Sequence, residues 1–211
     1  MLGSFLREHF RDPEIISLIQ EFHAQYELDY RRGLQPSFWI DENDESRLRS
    51  CFEYCEWLMA KDSKSTSLKS LQGKIWEAGY AMGELHGEVY ADVPPAFKRW
   101  RLQKREIYIY SSGSVLAQQL LFRSTASGDL TPQIAAFFDT GVGAKTETES
   151  YRKIAQCVTR SLRDFLFISD DVKEVRAAHD AGMQAILCER DMSSETQVTN
   201  ILIHSLDEIF P

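Results

Sequence analysis

The sequence has no apolar run approaching the ~20 residues of a membrane span. Nor does Met1-Leu2-Gly3-Ser4-Phe5-Leu6-Arg7-Glu8 carry a basic region followed by an apolar core, which excludes a signal peptide there and points to the cytoplasm. Cations are in the minority: 24 Lys and Arg face 32 Asp and Glu, for a net charge of −8. Nucleic acid is therefore not the expected partner, since a phosphate backbone calls for clustered cations. A small phosphate ester stays within reach, because one Lys and a few N–H groups can hold it. Cysteine is scarce and lacks zinc-ligand spacing. Cys51 and Cys55 share a helix face, while Cys157 and Cys188 stand alone. A reducing compartment and buried thiols fit better than a disulfide scaffold. His9, His23, His86, His179 and His204 are scattered without pairing, and only His86 is a candidate for substrate contact. There is no internal repeat and no low-complexity tract.

What remains is an ordinary globular composition, 43% hydrophobic and 11% aromatic, over a length that fits one domain or a core with a smaller insertion. The chain is expected to act as a monomer. Its periodicity divides it. Residues 1–103 read as a helical region with connectors, and 104–211 as an α/β core. Asp12-Pro13 is an N-cap with Pro at the first helical position. Ile15, Leu18, Ile19, Phe22 and Tyr26 then recur at helical steps, and Gly33 can close the helix. A second helix runs through Leu48, Phe52, Cys55 and Met59, and Lys61 to Ser67 reads as a polar connector. A third helix carries Leu68, Leu71, Ile75 and Met82, with Gly79 suggesting close packing.

The period then changes. Glu106 to Tyr110 reads as a strand, Ser114 to Phe122 as a helix, and Phe137-Phe138-Asp139 as a short strand. Thr146 and Glu149 predict a capping box ahead of a helix through Tyr151 and Ile154. Asp164 to Ser169 is a strand, Val172 to Ala181 a helix ended by Gly182, and Gln184 to Cys188 another strand. Strands and helices alternating in this way predict a parallel sheet covered on both faces.

Ligands of such a sheet bind beyond the carboxyl ends of its strands. Ser111-Ser112-Gly113-Ser114 ends one strand and opens a helix, so it reads either as an anion cradle or as an ordinary cap and turn. Gly141 to Thr146 falls short of a nucleotide-binding loop, because Ala144 rather than Gly precedes Lys145. Lys145 is then either a phosphate contact or a solvated surface charge. Asp170, at a third strand end, can ligate magnesium or complement a helix N-terminus. Glu174, one helical turn on, could orient Asp170 or the metal's waters.

A cradle, a Lys and a metal acid on successive strands follow the order used by haloacid-dehalogenase phosphatases. The strings Leu71-Gln72-Gly73-Lys74-Ile75-Trp76, Tyr90-Ala91-Asp92-Val93-Pro94-Pro95 and Tyr108-Ile109-Tyr110-Ser111-Ser112-Gly113 resemble the enolase-phosphatases (acireductone synthases) of methionine salvage. So do Gly128-Asp129-Leu130-Thr131, Phe138-Asp139-Thr140, Glu149-Ser150-Tyr151-Arg152-Lys153-Ile154-Ala155 and Phe167-Ile168-Ser169-Asp170. The resemblance implies a Rossmann-like haloacid-dehalogenase core with a helical cap. It implies Ser111 and Ser112 on the substrate phosphate, Lys145 neutralising charge during transfer, and Asp170 on Mg²⁺. The implied reaction is enolisation and dephosphorylation of 2,3-diketo-5-methylthiopentyl-1-phosphate to the acireductone.

One family feature does not occur in the sequence: an apolar strand ending in Asp-x-(Asp/Glu)-Gly-Thr, whose first Asp is the nucleophile. No nucleophile is therefore assigned, and by the resemblance the first core strand, from the middle of the sheet, is missing. A wrongly assigned start, a shortened product, or a variant that kept only binding would each account for this. A different phosphatase of the same superfamily would share the core but not the Leu71 and Tyr90 strings.

Overall fold

A computed structural model of the chain describes residues 2–61, 63, 65–190 and 202–211. Of the expected polar connector, Asp62 and Lys64 lie outside the described residues. The fold resolves into two compact units, Met1–Leu85 and His86–Pro211.

The first unit is helical: α1 (Leu2–His9), α2 (Pro13–Arg31), α3 (Asp44–Ala60) and α4 (Thr66–Ala81). Helix α2 starts as the sequence predicts, with Asp12 at the N-cap and Pro13 in its first turn, although the Asp12 carboxylate bonds to the His9 ring instead of a helix N–H. Its apolar stripe, Ile15, Leu18, Ile19 and Phe22, is buried among Leu6, Cys51, Cys55, Leu58 and Leu71. The stripe beside it is polar and fully used. Glu21 accepts from the Ser67 hydroxyl, Gln25 from the Ser65 hydroxyl and Asp29 from the Tyr54 hydroxyl, at 2.9, 2.7 and 2.6 Å. Three residues spaced four apart on one helix face thus fix the register of α2 against α3 and α4. Gly79 is a close approach: a Cβ there would lie 2.8 Å from the Leu85 side chain.

The second unit carries α5 (Val93–Leu102), β1 (Tyr108–Tyr110), α6 (Val115–Arg123), β2 (Ala136–Phe138), α7 (Thr148–Cys157), β3 (Leu166–Ser169), α8 (Val172–Ala181), β4 (Gln184–Cys188) and β5 (Leu202–Ile203). Every strand pairing is parallel, as the alternation predicts. The single sheet that alternation predicts is instead two sheets, β1-β2 and β3-β4-β5. Among the described residues, strand β1 has a ladder partner on one side only, and so does β3. Side chains join what the ladders do not. Tyr108 meets Phe165 with ring centroids 5.9 Å apart, and Tyr151 stands between Tyr110 and Phe167 at 5.8 and 4.9 Å. Arg160 reaches across to Glu106 at 2.9 Å.

Helix α5 packs into this unit through Ala96, Phe97 and Trp100. Its start is locked by Asp92, whose Oδ2 accepts from Arg190, the Leu206 N–H and the Ser205 hydroxyl at 2.5, 2.6 and 3.0 Å. Burial pushes the Asp92 carboxyl up, but those three donors outweigh it and hold it below the usual carboxylate range. A carboxyl depressed in the folded state stabilises above its unfolded value and loses that contribution as pH falls through the folded one. Asp92→Asn should therefore cost about 1–3 kcal/mol at pH 7. The gap to wild type should begin to narrow below about pH 3.9, the unfolded Asp value, and close only as pH falls through the lower folded value. Urea unfolding at both pH values measures this, and a gap independent of pH would show that the carboxylate charge contributes nothing.

Candidate functional site

Strand β1 runs directly into the serine string, and there the hydroxyls divide the work. The Ser111 N–H donates to the Phe138 carbonyl at 3.0 Å, and its Oγ accepts from the Gly113 N–H at 3.1 Å. Ser114 caps α6 by accepting from the Ala117 N–H at 3.2 Å. Ser112 is exposed, and its hydroxyl has no partner among the described residues. The cap reading thus holds for Ser114, while Ser112 is left open to a ligand. Gln118, unremarked in the sequence, is buried and braces the turn, its Nε2 donating to the Gly113 and Phe138 carbonyls, both at 2.9 Å. Its Oε1 is buried without a hydrogen-bond partner. Asp139 ties the far side, accepting from the Val115 N–H at 3.2 Å and the Gly141 N–H at 2.8 Å.

Lys145 lies in the loop between β2 and α7. The predicted capping box does not form, because α7 begins one residue later than expected: its N-cap is Glu147, and Glu149 pairs with Arg152. Gly143 bends the loop at φ 139°, and a Cβ there would meet the Ser150 Oγ at 2.2 Å, so only glycine fits. Lys145 is not a solvated surface charge. Its side chain is 24% exposed, and its Nζ lies 2.7 Å from the Glu174 Oε2, whose side chain is 12% exposed.

Glu174 therefore faces Lys145 and not Asp170. It also accepts from the Ser169 hydroxyl at 2.7 Å. Asp171 caps α8 through the Lys173 N–H at 2.7 Å, which leaves Asp170 exposed and without a partner among the described residues. Ser111, Lys145, Ser169 and Asp170 line one cleft of about 1050 Å³, whose walls include β1 and β3. Ser112 and His86 do not line it. As a magnesium ligand, Asp170 is a free hard oxygen donor at a strand end, which fits in kind. Among the described residues no three His, Cys, Asp or Glu side chains converge to enclose an ion.

The residues sequence reading missed are Tyr110, Gln118, Ser150, Tyr151 and Ser169, all of which act by touching main chain or Glu174. Only Tyr151 left a signal, as an aromatic on the apolar stripe of the helix just after Lys145.

Comparison with known proteins comes from three directions. The haloacid dehalogenase-like hydrolase family matches residues 10–182. Enolase-phosphatase E1 of Synechococcus elongatus is 40% identical over 209 residues, 99% of this chain and 85% of the relative. That of Danio rerio is 38% identical, covering 92% and 76%. Among solved structures, the UTR4 protein of Saccharomyces cerevisiae superimposes with a TM-score of 0.75 at 28% identity, covering 97% of this chain and 85% of that one.

The Lys145–Glu174 pair is the energetic centre of the arrangement. Glu174→Gln keeps the shape but leaves the ammonium unbalanced, so it should lower stability by about 1–3 kcal/mol. A urea midpoint equal to wild type would show the pair to be energetically idle.

Proposed function

Since the chain belongs to the haloacid dehalogenase-like hydrolases and, within them, to the enolase-phosphatases, we propose that its cleft carries out phosphoryl transfer from a small phosphate ester. The substrate of this reading is 2,3-diketo-5-methylthiopentyl-1-phosphate, and the product is the acireductone of methionine salvage. The observation that carries the proposal is the meeting of Ser111, Lys145 and Asp170, chosen from three separate strings, in one cleft. Ser111, which lines the cleft, and Ser112, next to it in the turn, bind the phosphate through their hydroxyl hydrogens. Lys145 has three donors, so it can keep Glu174 while donating hydrogen bonds to phosphate oxygens as their charge grows. Asp170 holds magnesium, which when bound would offset charge on the transferring group. The helical region expected over 1–103 serves as the cap domain. The protein works in the cytoplasm as a monomer, with neither nucleic acid nor membrane as partner. Among the described residues no helix is long and apolar enough to cross a membrane.

The nucleophile of this reading is an Asp carboxylate on a strand seated between β1 and β3, parallel to both. The cleft lies along these open edges, and Gln118, whose buried Oε1 has no hydrogen-bond partner, is among its lining residues. The carboxylate attacks phosphorus, the ester P–O bond breaks, the leaving oxygen takes a proton, and water cleaves the acyl phosphate. Asp139 does not line the cleft, and its two oxygens are turned to the Val115 and Gly141 N–H groups. A second reading, phosphate binding without turnover, is favoured by the lack of an Asp-x-(Asp/Glu)-Gly-Thr string.

Released phosphate decides between them. Residues 1–211 alone should release none. Supplying an apolar strand that ends in Asp, fused or as a free peptide, should give magnesium-dependent release, and the same strand ending in Asn should not. Turnover by the chain alone would overturn the account of the nucleophile. In the active form Lys145→Met should lose at least roughly tenfold in kcat/KM, the worth of a charge-assisted hydrogen bond of about 1.5–3 kcal/mol. Asp170→Asn should raise the magnesium needed for half-maximal rate, and an unchanged requirement would remove Asp170 from the metal site.

A further inference from the structure

The loop that delivers Lys145 belongs to neither a helix nor a strand, and its own backbone bonds are short turns such as Gly143 N–H to the Thr140 carbonyl and Glu147 N–H to the Ala144 carbonyl. Three hydroxyls hold three consecutive carbonyls of it. Tyr110 donates to the Gly143 carbonyl at 2.8 Å and Ser150 to that of Ala144 at 2.8 Å. Tyr151 lies 2.5 Å from the carbonyl oxygen of Lys145 itself. The same Tyr151 hydroxyl is 3.2 Å from the Glu174 carbonyl oxygen. One phenol therefore touches the main chain of both members of the Lys145–Glu174 pair.

Tyr151 is 1% exposed and wedged between the rings of Tyr110 and Phe167, so it has no freedom to move with the loop. Burial, followed by the nearby Glu174 charge, pushes its hydroxyl well above the ordinary phenol range, so it remains a proton donor. Burying the ring needs only its apolar body. A hydroxyl placed within reach of those two carbonyls does something the ring does not.

We propose that Tyr151, seconded by Tyr110 and Ser150, is a positioning residue that fixes where the Lys145 ammonium points. The inference rests on the reading above only in taking an anion in the cleft as the object of that ammonium. It identifies β1 and α7, the elements that carry these hydroxyls, as the parts that aim the cation. A small-scale displacement of a positioned charge is costly, because charge-assisted hydrogen bonds weaken with misalignment.

The test uses the 211-residue protein and reads the Lys145 amine directly. Acetylation by a small amine-reactive reagent, followed site by site by mass spectrometry across pH, should run several-fold faster at Lys145 in Tyr151→Phe than in wild type. Exposed Lys173, on α8, should be unchanged, which separates loosening of the loop from general unfolding. Tyr110→Phe should move Lys145 in the same direction by less, and serves if Tyr151→Phe does not fold. Equal Lys145 profiles in wild type and the folded variants would overturn the proposal. Titration with inorganic phosphate in the presence of Mg²⁺ adds a cycle. Tyr151→Phe should weaken binding several-fold, and in a Lys145→Met background it should weaken it no further. Losses that simply add would also overturn the proposal. Wild type that binds no phosphate at all would sink the phosphatase reading, while the acetylation profile still decides the role of Tyr151.

Discussion

A lysine whose side chain is three-quarters withdrawn from water must have its charge balanced, and the second unit is arranged around that requirement. Glu174 balances Lys145 at 2.7 Å. An ion pair of this kind is weak evidence for stability in itself, because desolvation consumes much of the attraction. Its consequence is positional. It ties the loop after β2 to the first turn of α8, and through Ser169 to the end of β3. Tyr151 then joins α7 to both arms. Four elements that no ladder connects are thereby fastened at one point beside the cleft.

The same need for side-chain connection runs along the cleft walls. Parallel sheets are normally buried on both faces and continuous. Among the described residues, β1 and β3 each leave one edge without a strand partner, and such edges are prone to pairing with other chains. The Tyr108–Phe165 contact, the Tyr110–Tyr151–Phe167 stack and the Glu106–Arg160 pair span the two sheets without satisfying either edge's N–H and C=O groups. These bridges are side-chain contacts, each worth of order 0.5–1.5 kcal/mol for the aromatic pairs. They can hold the two sheets in register and still leave room for backbone pairing along the cleft.

How much of this could be read in the sequence follows from the range of each interaction. Local features were legible: the apolar stripe of α2, the Asp12-Pro13 start, the Gly182 stop at φ 108° and the parallel strands between helices. The four-residue capping box was read one residue too early at Thr146, because the loop there is shaped by Tyr110, Ser150 and Tyr151 and not by its own polar residues. Helix α1 and strand β5 were not anticipated, being short and dependent on packing for their existence. The candidate site was legible as a set of strand ends, since topology alone brings those together. Its internal pairing was not. Nothing in the spacing of Asp170 and Glu174 says that Glu174 turns to Lys145, a partner 29 residues before it in the chain.

Charge accounting carries the argument one step further. Among the described residues around the serine turn and the end of β3, the cation Lys145 stands with the carboxylates Glu174 and Asp170, while Asp139 and Asp171 are held by backbone N–H groups. Glu174 already cancels Lys145, so a phosphate dianion meets a neutral pair and a free negative charge. Two like charges about 4 Å apart repel by roughly 4 kcal/mol at the effective dielectric of a protein surface. The N–H dipoles opening α6 return only about 0.3–1 kcal/mol of that. A phosphate ester can settle beside Asp170 only if a further positive charge accompanies it. A divalent cation shared between that carboxylate and the phosphate oxygens supplies this charge with the hard oxygen ligands it prefers. In the proposed reaction, metal dependence is thus a requirement of binding before it is a requirement of chemistry.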